Sequence, residues 1–332
     1  MAGALWPAAV AVSGGGDSMA LMLLLKDWAA REKLPPPHVL TVDHGLRPQS
    51  ENDAAYVAKA ARKLKLKATI LVWDGAKPKS DIEAAAREAR YRLMGQWCSD
   101  NDIGGLYVAH TLDEQAETFL LRLARGSGLD GLSAMRAVSQ FPVPEFRDLK
   151  LVRPLLGFTR HELRKFLAHR ELGWREDPMN ADPRFARSRL RTVWPALEKA
   201  GLTAARIAAA AAHLDRARQA LDAATAELLA RASRRDGETL LLDAAALRAA
   251  PREIGLRALA KALTEISGQA YRPRFEGLES LYDQLMEKGA GPARTLHGCR
   301  LGRAPKRFAV FGPQTLLLER ERTKRRAIAR RQ

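Results

Sequence analysis

The first 110 residues alternate short apolar runs with longer segments of helical periodicity, and this alternation limits the fold more than any other feature of the chain. The apolar runs predict four strands: Ala8–Val12, His38–Val42, Ala68–Val72 and Leu106–Ala109. The segments that follow them predict four helices: Met19–Ala30, Glu51–Leu64, Ile82–Trp97 and Asp113–Arg125. Strands separated by helices form a parallel sheet with helices on both faces. Ligands of such sheets bind beyond the carboxyl ends of the strands, so a site is expected in those loops.

A glycine-rich loop joins the first predicted strand to the first predicted helix. It consists of Ser13, Gly14, Gly15, Gly16, Asp17 and Ser18. Glycine lets the backbone approach a ligand closely, and a helix N-terminus offers free N–H groups and a positive dipole end to phosphate. The serine hydroxyls add donors, and Asp17 is a candidate Mg²⁺ ligand. The loop matches neither Walker A nor the Gly-x-Gly-x-x-Gly dinucleotide turn, and the alternative is an ordinary glycine-rich turn.

Positive charge is concentrated in the last part of the chain. Fifty-five lysine and arginine residues stand against 38 aspartate and glutamate residues, a formal net charge of +17. Residues 1–200 contribute +6 of this excess and residues 201–332 contribute +11. Such an excess favours a polyanionic partner. The alternative is a solvated basic surface that reflects an arginine-rich composition.

Length and periodicity predict two domains, residues 1–200 and residues 201–332, because a single domain rarely exceeds about 250 residues. The second domain is expected to be mainly helical and basic. Its helices are predicted over Thr203–Ala232, Arg248–Ser267 and Arg274–Lys288, and a small strand-rich end over Arg294–Leu301 and Phe308–Leu318.

The chain shows no sequence feature of an exported or membrane-bound protein. The uncharged stretch Met1–Gly16 is too short to span a bilayer and lacks the basic residues that begin a secretory signal. Two cysteines, Cys98 and Cys299, cannot form a disulfide framework or a cysteine zinc site. We therefore expect a cytoplasmic location and no membrane partner.

Four further segments accompany the glycine loop in a fixed order. They are Asp43–Arg47, Glu83–Tyr91, Ala109–Leu132, and Trp174–Asn180 with Arg187, Arg189 and Arg191 downstream. Together with the loop, these segments resemble the tRNA(Ile)-lysidine synthases, a family of PP-loop ATP pyrophosphatases. The resemblance covers roughly residues 8–197 and is highly specific, whereas beyond residue 200 only a general helical and basic character remains.

The resemblance implies a Rossmann-like α/β domain with a five-stranded parallel sheet, and a two-step reaction on the isoleucine tRNA with a CAU anticodon. ATP adenylates the 2-oxygen of the wobble cytidine with Mg²⁺ as cofactor, releasing pyrophosphate. The amine of free L-lysine then attacks C2, which releases AMP and leaves lysidine. The resemblance also implies tRNA binding by Arg187, Arg189 and Arg191, and a homodimer, since members of the family are commonly dimers.

The residue types suit this chemistry. Carboxylates can hold a lysine ammonium and take its proton, and Asp113, Glu114 and Glu117 can share one helical face. Asp43 ends a neighbouring strand and is expected to complete this cluster, and Asp113 is a second candidate for Mg²⁺. The other expected catalytic residues are His110, near the adenylation centre, and two cations that neutralise phosphate charge, Arg87 and Arg90.

Each of these residues also has a purely structural interpretation. Thr111-x-x-Glu114 is a capping box, so Glu114 could serve only the helix start. Glu83 and Arg87 form an ordinary i,i+4 pair, and His110 could be a strand-end histidine. The usual family motif is His-His-x-Asp-Asp, and here Thr111 and Glu114 replace its second histidine and second aspartate. The role of Glu114 is therefore the least secure.

Three other functions compete with the lysidine reaction. A tRNA thiolase would need paired cysteines, and neither Cys98 nor Cys299 lies in such a motif. An amidotransferase acting on a small molecule fits poorly with the basic C-terminal region. A non-catalytic RNA-binding protein would be expected to have a degraded phosphate loop, yet Ser13, Asp17 and Ser18 are all present.

Overall fold

Six strands of the first 152 residues form one sheet in the computed structural model, which describes residues 5–75, 77, 82–176, 184, 186–269, 271–288 and 292–321. The chain divides into two compact units, residues 1–215 and 216–332. The division falls inside a long helix, whereas the sequence places the domain boundary near Gly201, just before that helix. None of the helices in the described ranges is long and apolar enough to cross a membrane.

The sheet of the first unit is mixed, with the strand order β3-β2-β1-β4-β6-β5. Its strands are β1 (Ala8–Ala11), β2 (His38–Asp43), β3 (Ala68–Val72), β4 (Gly105–Tyr107), β5 (Val138–Gln140) and β6 (Lys150–Val152). Neighbouring strands run parallel from β3 to β6, and β5 pairs antiparallel with β6 at the edge. The expected five-stranded parallel sheet is therefore wrong by one antiparallel strand. The apolar runs predicted four of the six strands and missed β5 and β6, whose sequences Val-Ser-Gln and Lys-Leu-Val contain no run of three apolar residues.

Helices cover both faces of this sheet, as predicted. The helices of the first unit are α1 (Gly16–Arg31), α2 (Ser50–Lys63), α3 (Ile82–Asp100), α4 (Leu112–Leu123), α5 (Leu129–Leu132), α6 (Arg160–His169) and α7 (Ala186–Lys199). Of these, α1, α2 and α6 pack on one face of the sheet and α3 packs on the other. Strand β1 shows the two-sided burial, because Ala8 and Val10 belong to the core formed with α1, and Ala9 belongs to the opposite core formed with α3. A strand buried on both faces reads as a continuous apolar run.

The topology brings four loops to one edge of the sheet. The chain leaves β1 toward β2 on one side and later inserts β4 on the other side of β1. Ligands of doubly wound sheets bind at such a switch point. The carboxyl ends of β1, β2, β4 and β6 lead to the glycine loop, Asp43, His110 and Arg153 respectively.

The second unit combines helices with an antiparallel sheet. Helix α8 (Ala204–Ala232) leads into it, followed by α9 (Ala244–Ala249), α10 (Arg252–Ser267) and α11 (Phe275–Lys288). The strands β7 (Ser233–Asp236), β8 (Thr239–Asp243), β9 (Arg294–Leu296), β10 (Cys299–Arg303) and β11 (Thr315–Arg320) have the order β7-β8-β11-β10-β9. The predicted helices and the strand-rich end are present, but the β7–β8 hairpin was not predicted. The expectation of a mainly helical domain is therefore correct only in part.

Replacing Gly95 should destabilise the first unit. A Cβ at this position of α3 would lie 2.9 Å from a ring carbon of Phe141 and closer still to Phe146. Overpacking of this kind costs about 1–3 kcal/mol, so Gly95→Ala should lower the midpoint of urea or thermal unfolding. A Cβ on Gly157 would meet no heavy atom within 4 Å, so Gly157→Ala is the matched control and should change stability by no more than about 0.5 kcal/mol. Equal stability of the two variants would contradict the packing described for α3.

Candidate active site

The glycine loop folds as the N-terminal turn of α1. The Ser18 hydroxyl donates to the Gly15 carbonyl over 2.9 Å and accepts from the Ser13 backbone N–H over 3.1 Å. The Ser13 and Ser18 hydroxyl oxygens lie 3.3 Å apart. Gly14 has a φ of +90°, a region that favours glycine. The first N–H groups of a helix have no partner within the helix, so this turn can bind an anion.

Neighbouring segments pack closely against this loop. A side chain on Gly14 would reach within 3.4 Å of Val57, and one on Gly16 within 3.6 Å of Arg164 and Trp174. The Arg175 N–H donates to the Gly14 carbonyl over 2.9 Å. The predicted Trp174 motif therefore begins beside the glycine loop, while its Asp177, Pro178 and Asn180 lie outside the described residues.

Arg160 links the loop to the acidic face of α4. Its Nε lies 3.4 Å from Asp17 Oδ2, and its Nη1 donates to Glu117 Oε1 over 2.8 Å. Its backbone N–H, at the first turn of α6, donates to Asp113 Oδ2 over 2.7 Å. The Thr159–Glu162 capping box fixes where α6 starts, and so fixes this N–H. One arginine therefore contacts all three carboxylates.

Glu117 is a buried, doubly paired carboxylate. Only 2% of the residue is exposed. Besides Arg160, Arg191 Nε donates to Oε1 over 2.8 Å, and both arginines place a second nitrogen 3.4 Å from Oε2. Burial raises the pKa of Glu117, but the hydrogen bonds from the two arginines outweigh burial and hold the pKa below its usual range. The side chain is therefore a fixed negative charge in this arrangement.

Glu114 has both of the interpretations that the sequence allows. Its carboxylate accepts from the Thr111 N–H over 3.2 Å, and its own N–H donates to the Thr111 hydroxyl, so the capping box is formed. Arg187 Nη1 lies 3.7 Å from Glu114 Oε1. Burial raises the pKa of Glu114 despite the arginines nearby. Burial likewise raises the pKa of Asp17, with Arg160 counteracting it.

His110 is partly buried among arginine side chains. Its Nδ1 accepts a hydrogen bond from Arg153 Nε over 3.1 Å. Arg153 is itself held by the Arg136 carbonyl, at 3.0 Å, and the Ser139 hydroxyl, at 2.9 Å. Burial, followed by the charges of the neighbouring arginines, lowers the pKa of His110 to about 3. The ring is therefore neutral near pH 7, and the acceptor role of Nδ1 leaves the proton on Nε2.

Arg87 and Arg90 lie near His110, whereas Asp43 makes its bonds elsewhere. The two arginines are exposed on α3 and contribute to the lowered pKa of His110. Asp43 Oδ1 accepts from the Ser50 hydroxyl over 2.5 Å and from the Gly45 N–H over 3.0 Å. The Ser50 hydrogen bond is the main reason why the pKa of Asp43 is lowered. In the described contacts Asp43 therefore organises its own loop.

The three arginines expected to bind tRNA have different surroundings on α7. Arg191 points to Glu117, and Arg187 lies near Glu114. Arg189 is exposed, and its Nη1 donates to the Arg184 carbonyl over 2.8 Å. Arg191 is thus part of the ion-pair cluster, whereas Arg187 and Arg189 remain exposed enough to meet a polyanion.

Sequence reasoning did not identify Arg153 and Arg160. Arg153 directly follows β6, so recognising that short strand would have placed it at the same sheet edge as His110. Arg160 directly follows Thr159, the N-cap of α6. Its partners lie 43 and more residues away in the chain, and no local pattern indicates them.

Two carboxylates could hold a divalent cation at the loop. Asp17 and Asp113 both contact Arg160, and the charge of Asp113 contributes to the raised pKa of Asp17, so the two lie close together. The described residues contain no group of three or more histidine, cysteine, aspartate or glutamate side chains arranged to hold a metal. Mg²⁺ commonly uses one or two carboxylates and takes its other ligands from phosphates and water, which this pair fits.

Comparison with known proteins agrees with this geometry. Residues 7–197 match the model of a family described as a PP-loop domain. A solved structure, the U34-tRNA thiolase NcsA of Methanococcus maripaludis with its 4Fe-4S cluster, is 18% identical with a TM-score of 0.50. The aligned region covers 63% of this chain and 72% of the thiolase chain. At that identity the likeness concerns the fold alone, and it agrees with the α/β architecture of the first unit.

Curated relatives narrow the class further. The tRNA(Ile)-lysidine synthase of Methylobacterium nodulans is 44% identical over 89% of this chain and 85% of its own length. The tRNA(Ile)-lysidine synthase of Wolbachia pipientis wMel is 38% identical over 94% of this chain and 72% of its own length. The chain belongs to the tRNA(Ile)-lysidine synthase family, which confirms the resemblance seen in its motifs.

The protonation of His110 can be tested by nitrogen NMR. We expect its ring to stay neutral, with the proton on Nε2, between about pH 5 and 8. The unfolded chain takes up this proton near the ordinary pKa of 6.5, and the folded protein does so only near 3. As the pH falls below 6.5, the unfolded chain binds a proton that folded His110 does not, so the free energy of unfolding should decrease progressively. Spectra of His110→Asn assign the signals, and a ring that titrates near 6.5 would contradict the burial described.

Proposed function

We propose that this protein converts the wobble cytidine of CAU-anticodon isoleucine tRNA to lysidine, using ATP and free L-lysine and releasing pyrophosphate and AMP. The observation that carries the proposal is the contact of one arginine with both the phosphate loop and a buried carboxylate cluster. Because of this contact, a site suited to an anionic nucleotide lies next to a site suited to a cationic amine. Family membership supports the same reaction.

In the first step, the loop residues Ser13–Ser18 bind the phosphates of ATP. The helix N-terminus and the serine hydroxyls supply donors, and Arg87, Arg90 and Arg153, which lie near His110, are expected to add positive charge. His110 remains neutral and donates from Nε2, so it can hold an oxygen that gains negative charge during adenylation. Mg²⁺, which Asp17 and Asp113 would hold, neutralises phosphate charge when it is bound.

In the second step, Glu117 and its neighbours hold the ammonium group of lysine. The lowered pKa of Glu117 and its two arginine partners argue for a fixed charge rather than a general base. A lysine ammonium can reach this carboxylate only by replacing one arginine, and Arg191, which is part-exposed on α7, is the more accessible of the two. Glu114, whose pKa is raised, is better suited to accept the proton that the attacking amine loses.

The remaining partners follow from this reaction. The tRNA is expected to meet Arg187 and Arg189 on α7 and the basic second unit, and the enzyme is expected in the cytoplasm, where its substrates occur. The homodimer stays a prediction of the family resemblance.

The function is tested with ATP, radiolabelled lysine and a transcript of isoleucine tRNA. We expect acid-precipitable label together with stoichiometric AMP and pyrophosphate, because the loop lacks the Walker lysine that serves γ-phosphoryl transfer. A methionine tRNA transcript is the control and should remain unlabelled. Stoichiometric ADP, or no lysine incorporation by folded enzyme, would refute the proposed reaction.

Glu117→Gln separates the two steps. This substitution keeps the size of the side chain but removes the charge that holds lysine. We expect the apparent affinity for lysine to fall about 100-fold or more, as when one partner of a buried charge pair is lost, while pyrophosphate release changes much less. Single-turnover assays that follow pyrophosphate and lysine separately measure this difference.

Glu145→Gln is the matched control, because Glu145 is exposed and pairs with Arg92 at the surface. A thermal melt of each variant checks the fold. Unchanged lysine dependence in folded Glu117→Gln would remove this residue from the lysine site. Equal loss of both steps, rescued by added Mg²⁺, would instead make it a metal ligand.

A further inference from the structure

Two aromatic side chains of the second unit are largely exposed to solvent. Tyr271 is 83% exposed and Phe275 is 61% exposed, against 44% for Val310, another exposed apolar side chain of this unit. Burial of apolar surface stabilises a folded protein by about 25 cal/mol per Å². Because both rings are mostly exposed, they lose most of this stabilisation. They lie within five residues of each other, so they form one local feature of the surface.

The segment between the rings alternates aromatic and cationic residues around a buried proline. The order is Tyr271, Arg272, Pro273, Arg274, Phe275, and only Pro273 is buried. Proline restricts the backbone, and Phe275 is the first residue of α11. The four exposed side chains therefore lie on a short segment whose backbone is restricted by the buried Pro273 and by the start of α11.

This segment lies beside the β9–β10 hairpin. On one side of it, Gln269 Nε2 donates to the His297 carbonyl over 3.3 Å. On the other side, a Cβ on Gly277 would lie 3.1 Å from Leu296, so α11 packs directly on β9. Arg294 of β9 is also exposed. Glu276 is the only acidic residue between positions 271 and 276.

Aromatic rings interleaved with guanidinium groups suit unpaired nucleotides. Bases that are free of a helix stack on exposed rings, and the arginines pair with the phosphates between them. A base-paired stem would use the arginines but keep its bases away from the rings. The unit as a whole carries 24 basic and 13 acidic residues, which favours a nucleic acid over an acidic or neutral protein surface.

We propose that the surface formed by Tyr271, Arg272, Arg274 and Phe275 binds unpaired nucleotides of the tRNA substrate, by stacking on the two rings. The partner follows from the proposed function, and the mode of binding follows from the exposure and order of these four side chains. The surface belongs to the second unit and shares no residue with the ATP loop.

The experiment titrates the full-length protein with fluorescent tRNA transcript at several salt concentrations. Tyr271→Ala and Phe275→Ala should each weaken binding about tenfold with an unchanged salt dependence, because stacking releases no counterions. Arg274→Ala should weaken binding and reduce the slope of log affinity against log salt by about one. Phe275→Tyr keeps a ring and should bind normally, and Val310→Ala is the control for an exposed apolar side chain. A single-stranded oligonucleotide should show the same losses, and a blunt RNA duplex should not.

Two results would overturn the proposal. Wild-type tRNA affinity in both alanine variants would mean that the rings do not contact RNA. A changed sedimentation coefficient of these variants, again with unchanged tRNA affinity, would assign the surface to a second copy of the chain. Lysine incorporation by the wild-type enzyme is measured in the same preparations. Its absence would refute the proposed function, while a loss of tRNA affinity in the ring variants would still support nucleotide binding here.

Discussion

The arrangement of the first unit's site depends on Arg160, whose cationic side chain and backbone N–H together contact three carboxylates. Arg160 contacts Asp17 beside the phosphate loop, Glu117 in the interior of α4 and Asp113 through its backbone N–H. Arg160 shares with Arg191 the pairing of Glu117, a buried carboxylate that would be strongly destabilising without a partner. The pairing also raises the pKa of Arg160 above its ordinary value, in spite of burial, so this charge is permanent. The loop, α4 and α6 are therefore held together by charge as well as by packing.

Electrostatics divide the region into two parts. On one side, His110 is surrounded by arginines and stays neutral, so the net charge favours anions. On the other, the carboxylates of α4 stay close to Arg160 and Arg191, and a cation can bind there by exchange with an arginine. In the proposed reaction, ATP uses the first part and lysine the second. The neutral histidine and the ionised Glu117 are each explained by their own neighbours.

Local sequence patterns predicted those features whose cause is local. The glycine loop, the capping box at Thr111 and the shared face of Asp113 and Glu117 each depend on residues within one turn of helix, and all are present. Helix α1 begins at Gly16 rather than Met19, so the loop enters the helix earlier than apolar periodicity indicates. Strands β5 and β6 were missed because their sequences contain no run of three apolar residues. Arg153 and Arg160 were missed because pairing over tens of residues leaves no local signal.

The most direct test of this account is a single-turnover comparison of Arg160→Met with the wild-type enzyme. Methionine keeps much of the length of the side chain but removes the charge that joins the phosphate loop to Glu117. Arg170→Met is the control, because Arg170 lies at the other end of the same helix and pairs at the surface with Asp27. If Arg160 joins the two sites, pyrophosphate release and lysine incorporation should both slow by about tenfold or more in folded enzyme. Wild-type pyrophosphate release with only lysine incorporation impaired would contradict the claim that one arginine serves both sites.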